Sequence, residues 1–241
     1  MTRLVGAELL KLRTTRTFWA LSGSAVGLVL LIVVLSLALD DQLRSPTDVR
    51  SLLATAGIAG LLTLVLGVVV GAGEYRHGTI ASTLLVTPQR LRAVSAMVGG
   101  CFLGGLAIGL LAAGLTALIA LPWLSAKDAV LPSAGGSLEI FAGGALYAAL
   151  AAALGAAFGA LLRNQVAGVV IVLVLIFVVD PALSALLEGV GQFTLTGLGI
   201  AMSGGEGDTS LLPRGVAALV WALYAVLLTA LAAIFTARRD I

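Results

Sequence analysis

Six blocks of apolar residues, each about 20 or more residues long, constrain this 241-residue chain more than any other feature. A helix of about 20 residues, rising 1.5 Å per residue, crosses a hydrocarbon core of about 30 Å. The blocks lie at 18–39, 51–72, 91–121, 138–162, 166–187 and 215–236. In lipid each spanning segment has to satisfy its own backbone hydrogen bonds, and strands of a β-barrel would alternate polar and apolar residues over about 10 positions. Continuous apolar runs therefore predict an all-α integral membrane protein with six transmembrane helices. Composition agrees, with 60% hydrophobic residues and a mean hydropathy of +1.13, against roughly 45–50% apolar residues in soluble domains.

Thirty glycines would weaken helices in water, but in lipid they allow backbones to approach closely. Gly-x-x-x-Gly pairs occur at Gly23 and Gly27, Gly67 and Gly71, Gly100 and Gly104, Gly105 and Gly109, and Gly155 and Gly159. In so glycine-rich a chain the spacing arises often by chance, so generic helix packing is the simpler reading of any one pair. The single cysteine, Cys101, rules out an internal disulfide.

The first 17 residues carry Arg3, Lys11, Arg13 and Arg16 against one acid, Glu8, with Val5, Leu9 and Leu12 on one side at helical spacing. The pattern predicts an amphipathic interfacial helix along the cytoplasmic face, or an ordinary basic flank of the first span. Ser36 to Ala38 resembles a signal cleavage site, but the apolar run at 18–39 is longer than a 7–15-residue signal core and reads as a span. Residues 40–50 read as a polar loop. Residues 122–137 read as another, with Pro122, Pro132 and the Gly135–Gly136 pair as breakers. The connection Arg163-Asn164-Gln165 is short enough to make the fourth and fifth spans antiparallel neighbours.

Proline disfavours a helical residue before it, so a break is expected at Asp180–Pro181, as an outer break or gate or as a polar residue at the membrane boundary. Residues 193–202 suggest a re-entrant dip between spans five and six. Trp19 and Trp123, near span ends, read as interfacial anchors.

Ten of the 14 Lys and Arg residues fall on the side of the N-terminus, the second and fourth loops and the C-terminus. The positive-inside rule then places both termini in the cytoplasm. Ionisable residues are missing from span centres, which argues against an ion-coupled transporter. With one histidine, His77, and lysines only at 11 and 127, neither a histidine-based metal site nor a phosphate-binding loop is expected, and the chain reads as a non-enzyme. The net charge of +2 suggests no nucleic-acid partner.

The one internal segment rich in charge and turn residues runs from Gly73 to Met97. Glu74, Tyr75, Arg76 and His77 extend the second span into water, and Gly78 turns the chain. Thr79 to Val86 has room for two helical turns with Ile80, Leu84 and Leu85 together; Thr87–Pro88 reads as the N-cap and first position of the next helix. A short amphipathic helix between two spans suits either a groove on a soluble protein or the lipid headgroups, where Arg76, Arg90 and Arg92 would meet anionic lipid.

Two strings, ELLKLRTTRTFW at 8–19 and GEYRHGTIASTLLVTPQR at 73–90, together resemble the ABC-2 type membrane subunits of bacterial ABC transporters. The order of elements is similar along nearly the whole chain. The resemblance implies a permease subunit, most often an exporter of drugs, lipids, peptides or polysaccharides, in the bacterial cell membrane. It implies a homodimer or heterodimer with a second permease and a separate ABC ATP-binding subunit that carries ATP and Mg, with no cofactor on this chain. It assigns ATPase coupling to Glu74, Tyr75, Arg76, Gly78, Thr79, Leu84, Leu85, Pro88 and Arg90, and the interfacial helix to Glu8, Lys11, Arg13 and Arg16. The alternatives are a non-transporting membrane anchor for a cytoplasmic complex and, last, an ion-coupled secondary transporter.

Topology is open to a direct test. In a Cys101→Ala background, Asp41→Cys should react with a membrane-impermeant maleimide in intact cells, and Arg239→Cys only after permeabilisation; the opposite pattern refutes cytoplasmic termini.

Overall fold

The computed structural model describes residues 2–39, 45–76, 89–127, 129–205 and 211–238. It is 90% helical, and no strand occurs among the described residues. Helix α1, Thr2–Thr14, precedes the first span, α2, Arg16–Leu39. The second span is composite: α3, Pro46–Ala54, a 3₁₀ turn, Thr55–Ile58, and α4, Ala59–Arg76. The third and fourth are α5, Arg90–Ala126, and α6, Ala134–Leu162. The fifth joins α7, Gln165–Val174, a π-helical turn, Leu175–Val179, and α8, Asp180–Leu186. After a 3₁₀ turn, Gly191–Phe193, comes α9, Leu195–Ser203, and then the sixth span, α10, Arg214–Arg238. Six helices are long and apolar enough to cross a membrane, which makes this a multi-pass membrane protein.

Span four is the axis of the bundle: 78% of its most apolar stretch is buried, against 22% in spans five and six. Its sequence explains why, because alanine and glycine fill it from Ala142 to Ala160 with few bulky interruptions. Lipid tails are as apolar as leucine, so association has to come from close van der Waals contact rather than from burial away from water. Spans two and four achieve it by interlocking. A methyl added at Gly67 or Gly71 would collide with the Ala152 or Ala156 carbonyl oxygen, and one at Gly155 or Gly159 with the Leu64 or Val68 carbonyl oxygen. Thr63 Oγ1, buried in the same seam, lies 2.8 Å from Ala148 O and 3.0 Å from Gly60 O and donates between them. Gly105 and Gly109 bring span three equally close to Ala148 and Ala145. The fifth pair differs: Gly23 and Gly27 meet nothing within 4 Å.

Two apolar clusters flank this axis. One joins Val29, Val33 and Leu37 of span one to Leu52, Leu53 and Leu66 of span two and Leu124 of span three. The other gathers Leu64, Leu154, Ile176, Leu198 and Met202 around Tyr147 and the fully buried Trp221, whose ring centroids lie 5.6 Å apart. Trp221 is thus a core residue, whereas Trp19 and Trp123 are exposed.

Several helix ends differ from the sequence expectation. The second span starts at Pro46, inside the expected polar loop, because Ser45 Oγ accepts the Asp48 N–H at 3.2 Å and Pro46 takes the first helical position. Pro122 does not end span three, which continues to Ala126. Gly135–Gly136 is no breaker either, since Ser133 caps a helix that begins at Ala134 and accepts the Gly136 N–H.

Asp180–Pro181 does not break span five: Asp180 is helical at φ −57° and ψ −51°. A π turn absorbs the proline there, with the Asp180 N–H donating to the Leu175 carbonyl five residues back. Local adjustment of this kind is how membrane helices tolerate proline. Span three begins at Arg90 with Gln89 at its N-cap; Thr87 and Pro88, the expected helix start, lie outside the described residues. As expected, only two residues join spans four and five, with Arg163 left-handed at φ 56° and Asn164 Oδ1 accepting the Ala167 N–H.

The interlocked seam predicts an asymmetry. Gly67→Val should cost about 1–3 kcal/mol or more, because backbone cannot yield to a side chain, while Gly23→Val should change the melting temperature of the purified protein little. Equal melting temperatures for the two variants would refute the seam as the organising contact.

Candidate functional site at the foot of the second span

The residues singled out at the N-terminus and after the second span meet in space. Helix α1 packs on the start of span three where Gly100 and Gly104 leave room: a Cβ at Gly100 would lie 2.8 Å from Glu8 Cβ, and one at Gly104 3.3 Å from Leu12 Cδ1. Glu8 and Leu12 are buried as a result, with Val5 and Leu9 half-buried beside them. The face turned inward therefore overlaps the apolar side expected from periodicity but has a carboxylate in its middle.

Lys11 resolves that placement. Its Nζ donates to Glu8 Oε1 at 2.9 Å and to Glu74 Oε1 at 3.0 Å, so one ammonium bridges a carboxylate of its own helix and one 63 residues further along the chain. Glu8 and Glu74 side chains are 10% and 11% exposed, and Lys11 is 39% exposed. Burial pushes the Glu8 carboxyl above its ordinary range; the hydrogen bond and charge of Lys11 oppose the shift, and Glu74 adds to it. Burial also works against the Lys11 charge, but hydrogen bonds from it to Glu8 and Glu74, with their charges, outweigh that and hold its pKa above the ordinary 10.5.

The remaining residues at the end of span two are fixed to the turn between spans four and five. Arg76 Nη1 donates to Gln165 Oε1 at 3.1 Å, and the Arg163 guanidinium lies 4.8 Å from the centre of the Tyr75 ring. Glu74 thus meets α1, while Tyr75 and Arg76 both meet the turn between spans four and five. Between α1, the start of span one and the end of span two lies a cavity of about 470 Å³, lined by Lys11, Thr14, Thr17, Phe18, Glu74 and Gln165 among others. Arg13 and Arg16 are exposed, with the Arg13 carbonyl accepting Trp19 Nε1–H at 2.8 Å. His77, Gly78, Thr79, Leu84, Leu85 and Pro88 lie outside the described residues, and Arg90 is the first residue of span three.

At the far end of span five, Asp180 is brought to a different place from the rest. It is 6% exposed, and its Oδ2 accepts both the Thr196 N–H at 2.8 Å and the Thr196 hydroxyl at 3.0 Å. Thr194 Oγ1 accepts the Gly197 N–H, so the first turn of α9 is capped twice, once by its own threonine and once by a carboxylate from span five. Asp180 therefore holds the chain where it folds back after span five. Arg163, Gln165 and Thr196 had no signal of their own in the sequence; the two-residue turn at Arg163 was the one hint that a cation stood beside the foot.

The foot predicts a measurable latch. Lys11→Met removes the cation that Glu8 and Glu74 share and should loosen α1 by about 1–2 kcal/mol, read as roughly tenfold faster tryptic cleavage after Arg13 and Arg16; adding Glu8→Gln should restore part of the protection. A lysine whose folded pKa is raised stabilises fully below its unfolded value and loses that contribution as pH climbs through the folded one. Protection should accordingly persist at neutral pH and fail above 10.5. Cleavage unchanged by Lys11→Met would remove the latch.

Compared with models of known protein families and with curated proteins, the chain matches none.

Proposed function

We propose that this chain is the membrane-spanning permease subunit of an ABC-2 type transporter. It works as a dimer in a bacterial cell membrane, exports a lipophilic or amphipathic solute, and is driven by a separate ATP-binding subunit that docks on the segment at 73–90. The observation that carries the reading is the Lys11 bridge between Glu8 and Glu74. A segment that receives force from a moving partner needs a stiff connection to the spans, since a flexible root would absorb the displacement. Here the root of that segment is joined to the N-terminal helix through Lys11 and to spans four and five through Arg76 and Gln165. The two strings that resemble the family, at 8–19 and 73–90, contain Glu8, Lys11 and Glu74.

Purification from the native membrane in mild detergent should recover an ATPase with the chain, and solute flux in vesicles holding both should depend on ATP. Leu84→Asp with Leu85→Asp should leave the protein inserted and lower ATP-driven flux at least tenfold. Complexes without any ATPase, or flux unchanged by the double substitution, would overturn the proposal.

A further inference from the structure

A buried carboxylate in an apolar cavity is costly unless something compensates its charge, and Asp180 is compensated only in part. It stands in span five, and among the described residues no lysine or arginine pairs with it. Oδ2 takes both hydrogen bonds from Thr196, and no hydrogen bond reaches Oδ1 from any described residue. The amino end of α9 contributes about half a positive charge, which leaves a net negative group.

That group forms part of the wall of a cavity of about 520 Å³ between spans two, four, five and six and the folded-back α9. The volume lies within the range of roughly 300–1,000 Å³ typical of small-molecule sites. Apart from Asp180 and Thr194 the wall is made of aliphatic and aromatic side chains, including Phe158, Phe193, Tyr224 and Leu228. The Tyr224 hydroxyl is occupied, donating to the Phe193 carbonyl at 3.2 Å, so it offers little to a polar ligand. Leu175 and Val179, at the two ends of the π turn, also line the space, so the irregularity that accommodates Pro181 shapes its wall.

A net negative group, an apolar wall and three aromatic rings together suit a cation whose charge is wrapped in hydrocarbon. Such a cation is attracted by the carboxylate and by the ring faces and fills the rest of the space by apolar contact. We infer that this cavity is a binding site for an amphipathic organic cation, with Asp180 as its counter-ion. The inference narrows the solute of the proposed transporter; it rests on that reading for transport, but not for binding.

Equilibrium binding to the full chain in lipid nanodiscs, with no ATPase present, tests it. Tetraphenylphosphonium and tetraphenylborate share shape and size and carry opposite charges. Saturable binding of the cation at least tenfold tighter than of the anion is the expected result. Asp180→Asn keeps an acceptor for Thr196 and removes the charge, and should weaken the cation about tenfold while leaving the anion unchanged or tighter. Leu228→Trp, which fills the cavity and leaves the carboxylate alone, should weaken the cation as well. Equal affinity of the native protein for the two ions, no saturable binding, or an Asp180→Asn variant with native affinity would overturn the site. Because the first comparison uses the native protein, a poorly folding variant does not blunt the test. Cation binding by a chain that recruits no ATPase would sustain this site while refuting the transporter.

Discussion

Backbone-to-backbone contact along span four is the interaction on which the rest of this bundle depends. In a medium as apolar as the side chains themselves, helices gain little from hiding leucine, and they associate where small residues allow carbonyls and Cα atoms to touch. Gly67, Gly71, Gly155 and Gly159 set span two against span four, and Gly105 and Gly109 set span three there. With three helices fixed so tightly, the larger side chains of spans one, five and six fill the flanks as two clusters. Spans five and six leave most of their surface outward, consistent with their leucine, valine and phenylalanine content.

Charge is confined to where this packing leaves room for partners. At the foot, Lys11 bridges two carboxylates, and Arg76 reaches Gln165. At the opposite end Arg214 Nη1 meets Glu139 Oε2 at 3.0 Å, tying the starts of spans six and four, and Lys127 Nζ donates to the Leu37 carbonyl at the end of span one. Both ends are therefore stapled by polar contacts between helices distant in sequence. Asp180 stands apart because its partner is a helix terminus rather than a cation. The proposed coupling role grows from the foot and the proposed cation site from Asp180, so the two readings draw on separate parts of the molecule.

The number of spans was legible because hydropathy is a local property, and a run of about 20 apolar residues needs no partner to be recognised. Helix ends were less so. Ser45-Pro46-Thr47-Asp48 carries a capping signal that the surrounding charges disguised as loop, and Ser133 before Gly135–Gly136 carries another. Pro122 and Pro181 both lie inside spanning helices, which tolerate proline where local adjustment satisfies the freed backbone, as the π turn before Pro181 does. Four of the five glycine pairs proved to be contact faces and Gly23–Gly27 did not, though all five share one spacing.

The sequence by itself determined that the chain spans a membrane six times as helices, because the expense of unpaired backbone and polar groups in hydrocarbon depends only on what each segment contains. It also determined that charge collects at the ends of the spans. Tertiary structure alone decided that Lys11 reaches Glu74, that Glu8 faces inward, and that Asp180 caps α9 instead of breaking span five. Those outcomes turn on which helix lies beside which, and periodicity along one segment carries no record of its neighbour.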